Sequence, residues 1–147
     1  MVETRKISKT FAATGQITPT DIADLAEQGY TTIVNNRPDG EEGPLQPSSD
    51  ENRRAAEALG MSYHYLPMTP EMLTPELVEQ FHKVLQESQG PVLAHCKSGT
   101  RCAVLWALAE TAREGREIDT VLNETAQAGF DLSRMRPLFE KFQGEGG

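Results

Sequence analysis

The run His95-Cys96-Lys97-Ser98-Gly99-Thr100-Arg101 brings a thiol, a glycine and a guanidinium into one short segment. Pro91–Ala94 before it is apolar and reads as a strand, and the residues after Arg101 carry a helical pattern. A strand thus delivers Cys96, a tight loop holds Gly99, and a helix begins near Arg101. Successive N–H groups of such a loop converge on one point, where the helix N-terminus adds roughly half a positive charge. That field holds an anion and also lowers the pKa of a thiol placed within it, to about 3.5–7.5 against about 8.5 when free. Arg101 supplies a permanent charge and a planar fork suited to an oxyanion. Gly99 permits a positive φ and close backbone approach. Lys97 either adds charge or points to solvent. The chemistry implied is nucleophilic attack by an ionised Cys96 on an anion held by Lys97, Ser98, Gly99, Thr100 and Arg101. A buried, inert structural cysteine is the alternative for any lone thiol, and the strand–Cys–Gly–Arg–helix context argues against it.

Two neighbours of this loop have open roles. His95 either orients or deprotonates Cys96, as in Cys–His pairs, or packs at the strand end and hydrogen-bonds the loop backbone. Cys102, with five residues between it and Cys96, has three readings. It hydrogen-bonds the Cys96 sulfur, serves as a resolving thiol for an oxidised or persulfidated Cys96, or fills the first turn of a buried helix. No metal site is expected, because only His64, His82 and His95 accompany the two cysteines and their spacing matches no common zinc pattern. No cofactor is called for.

The elements that must position the loop follow from pattern. Short β-prone pieces stand at Lys6–Ser8 and Phe11–Thr14. Thr18-Pro19-Thr20-Asp21 opens a helix with an N-cap, a first-turn proline and a capping box, and that helix ends near Gly29. Thr31–Val34 is a β-branched strand. Ser49 or Asp50 caps a helix ending at Gly60, and Ser62–Leu66 is a strand. Thr74-Pro75-Glu76 starts a helix whose apolar face carries Leu77, Val78, Phe81, Val84 and Leu85. Cys102–Ala112 is apolar around nearly its whole circumference and belongs at the middle of the domain. Helices over about Asp119–Ala128 and Ser133–Phe142 close the chain. The polar stretch Arg37–Asp50 is the longest loop, and the tail Gly144–Gly147 reads as frayed. Strand alternating with helix indicates one three-layer α/β domain over residues 1–147. Its mainly parallel sheet has four to five strands flanked by helices, with the ligand beyond the strands' carboxyl ends. Leu132, Met135, Leu138, Phe139 and Phe142 either complete the core or form a subunit contact, and the core is favoured.

With 147 residues, 37% of them hydrophobic and 24% charged, the chain is that of a soluble globular domain. No apolar stretch approaches the roughly 20 residues that cross a bilayer, and the N-terminus lacks a signal-peptide core. A cytoplasmic location is expected. The net charge of −8 argues against nucleic acid and anionic membrane as partners.

The loop residues, the Ile33-Val34-Asn35-Asn36-Arg37-Pro38-Asp39 run and the Ala94–Trp106 segment resemble a bacterial family, the beta-lactamase-hydrolase-like protein, phosphatase-like domain. The resemblance implies a dual-specificity cysteine-phosphatase-like fold. It also implies Cys96 as nucleophile, Ser98, Gly99 and Thr100 as loop, and Arg101 as anion clamp. Members of the family occur alone or beside metallo-beta-lactamase-type persulfide dioxygenases, and some are named sulfur transferases. The chain departs from the tyrosine and dual-specificity phosphatase pattern in two ways. Only four residues, Lys97 to Thr100, separate Cys96 from Arg101 instead of five, a length similar to the rhodanese loop. The usual acidic Asp is also missing, since no Asp lies between Asp50 and Asp119. The loop Met68-Thr69-Pro70-Glu71-Met72 offers only Glu71, and Asp39 and Glu41 lie in the long loop.

Those departures rank the functions. A sulfurtransferase comes first, carrying sulfane sulfur as a Cys96 persulfide for a thiol acceptor or a persulfide dioxygenase. The alternative is a phosphatase that forms a phosphocysteine from a phosphate monoester. A non-catalytic redox or anion sensor is third.

Overall fold

The computed structural model describes residues 3–146. Five strands form one sheet in the order β1-β2-β5-β3-β4, with β1 over Arg5–Ser8, β2 over Phe11–Thr14, β3 over Thr32–Asn35, β4 over Ser62–Tyr65 and β5 over Val92–His95. The sheet is mixed: β1 runs antiparallel to β2, whereas β2, β5, β3 and β4 are mutually parallel. The central strand β5 is buried throughout. Its residues alternate between the two faces, so that Leu93 joins one apolar cluster while Val92 and Ala94 join the other.

Helices cover both faces. On one side α1 (Pro19–Glu27) and α2 (Ser49–Ala58) pack Ile22, Leu25 and Ala56 against Ile33, Tyr63 and Leu93. On the other lie α3 (Pro75–Glu87), α4 (Thr100–Leu108), α5 (Ile118–Gln127) and α6 (Arg136–Gly146). The three-layer α/β architecture expected from the alternation of elements is therefore present. Every residue of α4 from Cys102 to Leu108 is buried, as a helix apolar all round must be. Trp106 stacks on Phe11 at 6.1 Å and Phe81 meets Phe11 edge-on at 5.8 Å, so α3, α4 and β2 share one aromatic contact. No described helix is long and apolar enough to cross a membrane.

Several boundaries differ from the sequence reading for local reasons. The cap of α2 is Ser48, whose hydroxyl accepts from the Glu51 N–H. Ser49 itself is drawn into the helix because Asp39 accepts its N–H at 2.8 Å and its hydroxyl at 2.7 Å. The last helix starts at Arg136 after a 3-10 turn over Ser133–Met135. Pro137 has no N–H to donate and fits the first turn of a helix, which sets that start. After Leu108 the helix widens into a π turn over Ala109–Arg113, where the Thr111 hydroxyl donates back to the Ala107 carbonyl. The tail read as frayed is helical through Gly146, and Gly147 lies outside the described residues. Leu132, Phe139 and Phe142 are buried in the core, whereas Met135 and Leu138 are only partly covered.

Because Phe11 ties three elements together, truncating it should act globally. Phe11→Ala is expected to destabilise the domain by about 3–5 kcal/mol in urea unfolding, with one cooperative transition.

Candidate active site

All four parallel strands end on the same side, and the ladder continues one step beyond them. The Cys96 N–H donates to the Thr14 carbonyl, and the Asn36 N–H donates to the His95 carbonyl at 2.8 Å. Cys96 is thereby fixed by both neighbours of the central strand. The chain then turns through Lys97, Ser98 and Gly99 and enters α4 at Thr100. Gly99 has φ +92°. A Cβ there would lie 3.0 Å from the Phe130 ring, so the position excludes side chains on two grounds. Gly15, just after β2, closes the opposite flank: a Cβ on it would stand 2.8 Å from the Lys97 carbonyl oxygen.

This geometry surrounds the buried Cys96 sulfur with donors. The Gly99 N–H reaches it at 3.1 Å. The Cys96 pKa falls to about 5, chiefly through a hydrogen bond from the Cys102 thiol, with the N–H groups of Ser98, Cys102 and Gly99 adding to it against the cost of burial. Cys102 is fully buried, and its own pKa is pushed well up by desolvation and by the Cys96 charge beside it. The proton shared by this pair of free thiols therefore rests on Cys102.

Arg101 lies in the first turn of α4. Its Nη1 donates to the Met68 carbonyl at 3.1 Å and its Nη2 to Glu41 at 2.7 Å. Neither bond uses Nε. Glu41 and the charge on Cys96 both hold the guanidinium protonated. The same Glu41 oxygen accepts from Nε of Arg37 at 2.9 Å, so one carboxylate joins two guanidiniums. Arg37 is buried, donates to Gln16, and places Nη2 3.1 Å from Glu42 without hydrogen-bond alignment. Lys97 points outward and pairs with Glu42 at 2.9 Å. Ser98 donates to Thr100 through their hydroxyls at 3.2 Å. The long loop thus lays two glutamates against the cations of the Lys97–Arg101 loop and Arg37.

The structure places the remaining candidates elsewhere. His95 is buried within β5, and neither ring nitrogen finds a partner among the described residues. Burial, with the nearby Arg37 charge, drives its pKa to about 3 and keeps the imidazole neutral. The hydrogen bond from His95 to the loop backbone is not formed, because the ring is enclosed one residue before the loop begins. Asp39 has both carboxylate oxygens on Ser49, so it supports the start of α2. Glu71 is exposed on the 3-10 turn Pro70–Met72, and hydrogen bonds from its own N–H and from Thr69 favour its ionised form. Glu41 is likewise held ionised, mainly by Arg101. No group of three or more metal-ligating side chains occurs among the described residues.

The sequence pattern described as beta-lactamase hydrolase-like protein, phosphatase-like domain, matches residues 3–113. The chain belongs to this family. Beta-lactamase hydrolase-like proteins of Xylella fastidiosa (strain Temecula1) and Agrobacterium fabrum (strain C58) are 37% and 38% identical to it over 128 residues. Those matches cover 87% and 86% of this chain but only 30% and 29% of the relatives. The chain therefore spans less than a third of their length. Among solved structures, the "putative phosphatase" of Neisseria meningitidis Z2491 superposes with a TM-score of 0.81 at 30% identity, over 93% of this chain and 96% of that one. TpbA of P. aeruginosa gives 0.68 at 22% identity over 97% and 84%. PTPMT1 gives 0.77 at 13% identity over 98% and 96%. The fold of this beta-lactamase hydrolase-like phosphatase domain is thus that of the cysteine phosphatases.

If Cys102 is what ionises Cys96, alkylation kinetics will show it. Iodoacetamide modification of the protein should titrate with a midpoint of about 5. Cys102→Ala should raise that midpoint by at least about one unit, while Cys102→Ser, which keeps a donor, should leave it low.

Proposed function

We propose that the chain is a cysteine-dependent phosphatase-like hydrolase acting on phosphate monoesters, with Cys96 as nucleophile and the loop from Lys97 to Arg101 as anion cradle. The observation that carries this reading is Cys96 at the end of the central strand, its sulfur met by the Gly99 N–H at 3.1 Å, with Arg101 in the first turn of the helix that follows. Family membership and the cysteine-phosphatase fold support it over sulfur transfer, which the short loop, the missing Asp and the nearby Cys102 favoured.

In the first half-reaction the Cys96 thiolate forms a bond to phosphorus. The bond to the ester oxygen breaks with its electron pair on the departing oxygen. Water then attacks the phosphocysteine, the P–S bond breaks back to thiolate, and inorganic phosphate leaves. Loop N–H groups and Arg101 stabilise charge gathering on the equatorial oxygens. The helix N-terminus helps, since α4 points its uncapped N–H groups at the loop. Arg101 is already oriented by the Met68 carbonyl and Glu41 and need not be ordered on binding. The carboxyl groups near the loop are ionised or otherwise engaged, so the route favours esters whose oxygen departs unprotonated. Aryl phosphates with electron-withdrawing groups should therefore turn over fastest. Cys96→Ser is expected to abolish release of phosphate from an aryl phosphate, and Arg101→Lys to lower kcat/KM about 10²–10³-fold with the fold intact by circular dichroism. Full turnover by Cys96→Ser would remove this reading.

One feature favours sulfur transfer as a second reading: the buried Cys102 thiol is close enough to influence the ionisation of Cys96, and no acid is needed for a sulfite leaving group. There the thiolate takes the outer sulfur of thiosulfate, giving a Cys96 persulfide and sulfite. A gain of about 32 Da on Cys96, with thiocyanate released by cyanide and no phosphate turnover, is the result that would put this reading first.

A further inference from the structure

A groove of about 390 Å³ opens directly beside the anion loop, lined by Thr100 and Arg101 at one end. Its remaining walls are Met68, Pro70, Leu73, Val104, Met135 and Leu138. The size falls within the ~300–1,000 Å³ of small-molecule sites. Five separate elements build it: the segment after β4, the 3-10 turn Pro70–Met72 with Leu73 at its end, α4, the 3-10 turn Ser133–Met135 and the start of α6. Met135 and Leu138 are the residues of the last helical region that the core leaves partly uncovered. The exposed large apolar side chains of the described residues are Leu45, Leu59 and Met72. Leu45 is on the loop whose Glu41 holds Arg101, and Met72 is on the turn that supplies Pro70.

We infer that this groove is the subsite for the apolar substituent of the anion bound at Cys96, and that the substituent is a flexible aliphatic chain. The inference rests on the anion-loop reading above and names the ligand class for it: a small amphiphilic oxyanion, its charge on the loop and its aliphatic chain in the groove. Continuity is the first argument, because Arg101 belongs to both the anion cradle and the groove wall. A ligand that places its charge on Arg101 has its next atoms at the groove mouth. Lining is the second. The walls contain methionine, leucine, valine and proline but no aromatic ring on which a planar group would stack. Methionine and leucine side chains adapt to a chain of variable course. Charge is the third argument. The chain is strongly acidic overall, which opposes an acidic phosphopeptide or an anionic bilayer and leaves a small molecule as the better-matched ligand.

The test uses non-hydrolysable alkylphosphonates from methyl to octyl, titrated calorimetrically into the full chain. Affinity should rise about twofold to threefold per methylene until the groove is filled. Leu73→Ser and Leu138→Gln, each on a partly exposed wall, should flatten that dependence and leave methylphosphonate binding unchanged. A flat series in the unaltered protein, with methylphosphonate still bound, overturns the groove and keeps the anion site. Failure of both vanadate and methylphosphonate to bind overturns the anion-site reading itself. Octanol binding as tightly as octylphosphonate would show that charge and chain are not read together. A phosphotyrosyl peptide that outcompetes octylphosphonate, undisturbed by the two groove variants, would assign the site to a macromolecule and sink the inference.

Discussion

A negative sulfur buried at the end of the central strand is costly to hold, and most of the surrounding architecture answers that cost. Burial alone would keep the Cys96 thiol protonated. What reverses it is a set of donors that the backbone cannot withdraw: the Gly99 N–H, its neighbours in the loop, and the thiol of Cys102 in the next helix. Each donor depends on something further away. Gly99 adopts its positive φ under the ring of Phe130, Lys97 turns against the glycine at position 15, and Cys102 is held by a helix buried on every side. The apolar core and the charged site are therefore one problem in packing.

The acidic loop adds a second layer of electrostatics. Arg37, Lys97 and Arg101 would repel one another if left unpaired beside the anion loop, and Glu41 and Glu42 bridge them. In a protein with a net charge of −8, the cations beside the loop are few and shared, and each is oriented by a carboxylate or carbonyl. Arg101 in particular is fixed by two acceptors that leave its Nε uncommitted.

Much of this could be read from the chain. The Thr18 capping box, the apolar face of α3 and the all-apolar α4 each follow from spacing, and they suffice to give the layered α/β architecture. The strand–Cys–Gly–Arg–helix order was enough to place Cys96 and Gly99 in the turn between β5 and α4. The partners that come from far along the chain were not legible. Asp39 offered itself as an acid in sequence, yet it supports α2 through Ser49, a contact set by how the long loop folds back. Glu41 stood in the long loop with no partner that spacing could name, and tertiary packing sets it against two guanidiniums sixty and four residues away. His95 carries the local signature of a Cys–His pair, but its place inside β5 encloses the ring. Arg37 entered only as part of a family resemblance. Its burial beside a proline and an aspartate has no periodic signal that pattern reading detects.

The continuation of the strand ladder into the loop has a bearing on how reactivity arises. Cys96 is tethered to Thr14, some eighty residues earlier, and the strand before it is tethered to Asn36. Those long-range pairings can form only after the chain has met the entropy cost of closing long loops. A nascent or partly unfolded molecule accordingly carries an unremarkable thiol at position 96. The aggressive nucleophile comes into existence only with the finished sheet, so completion of the fold is also the moment of chemical arming.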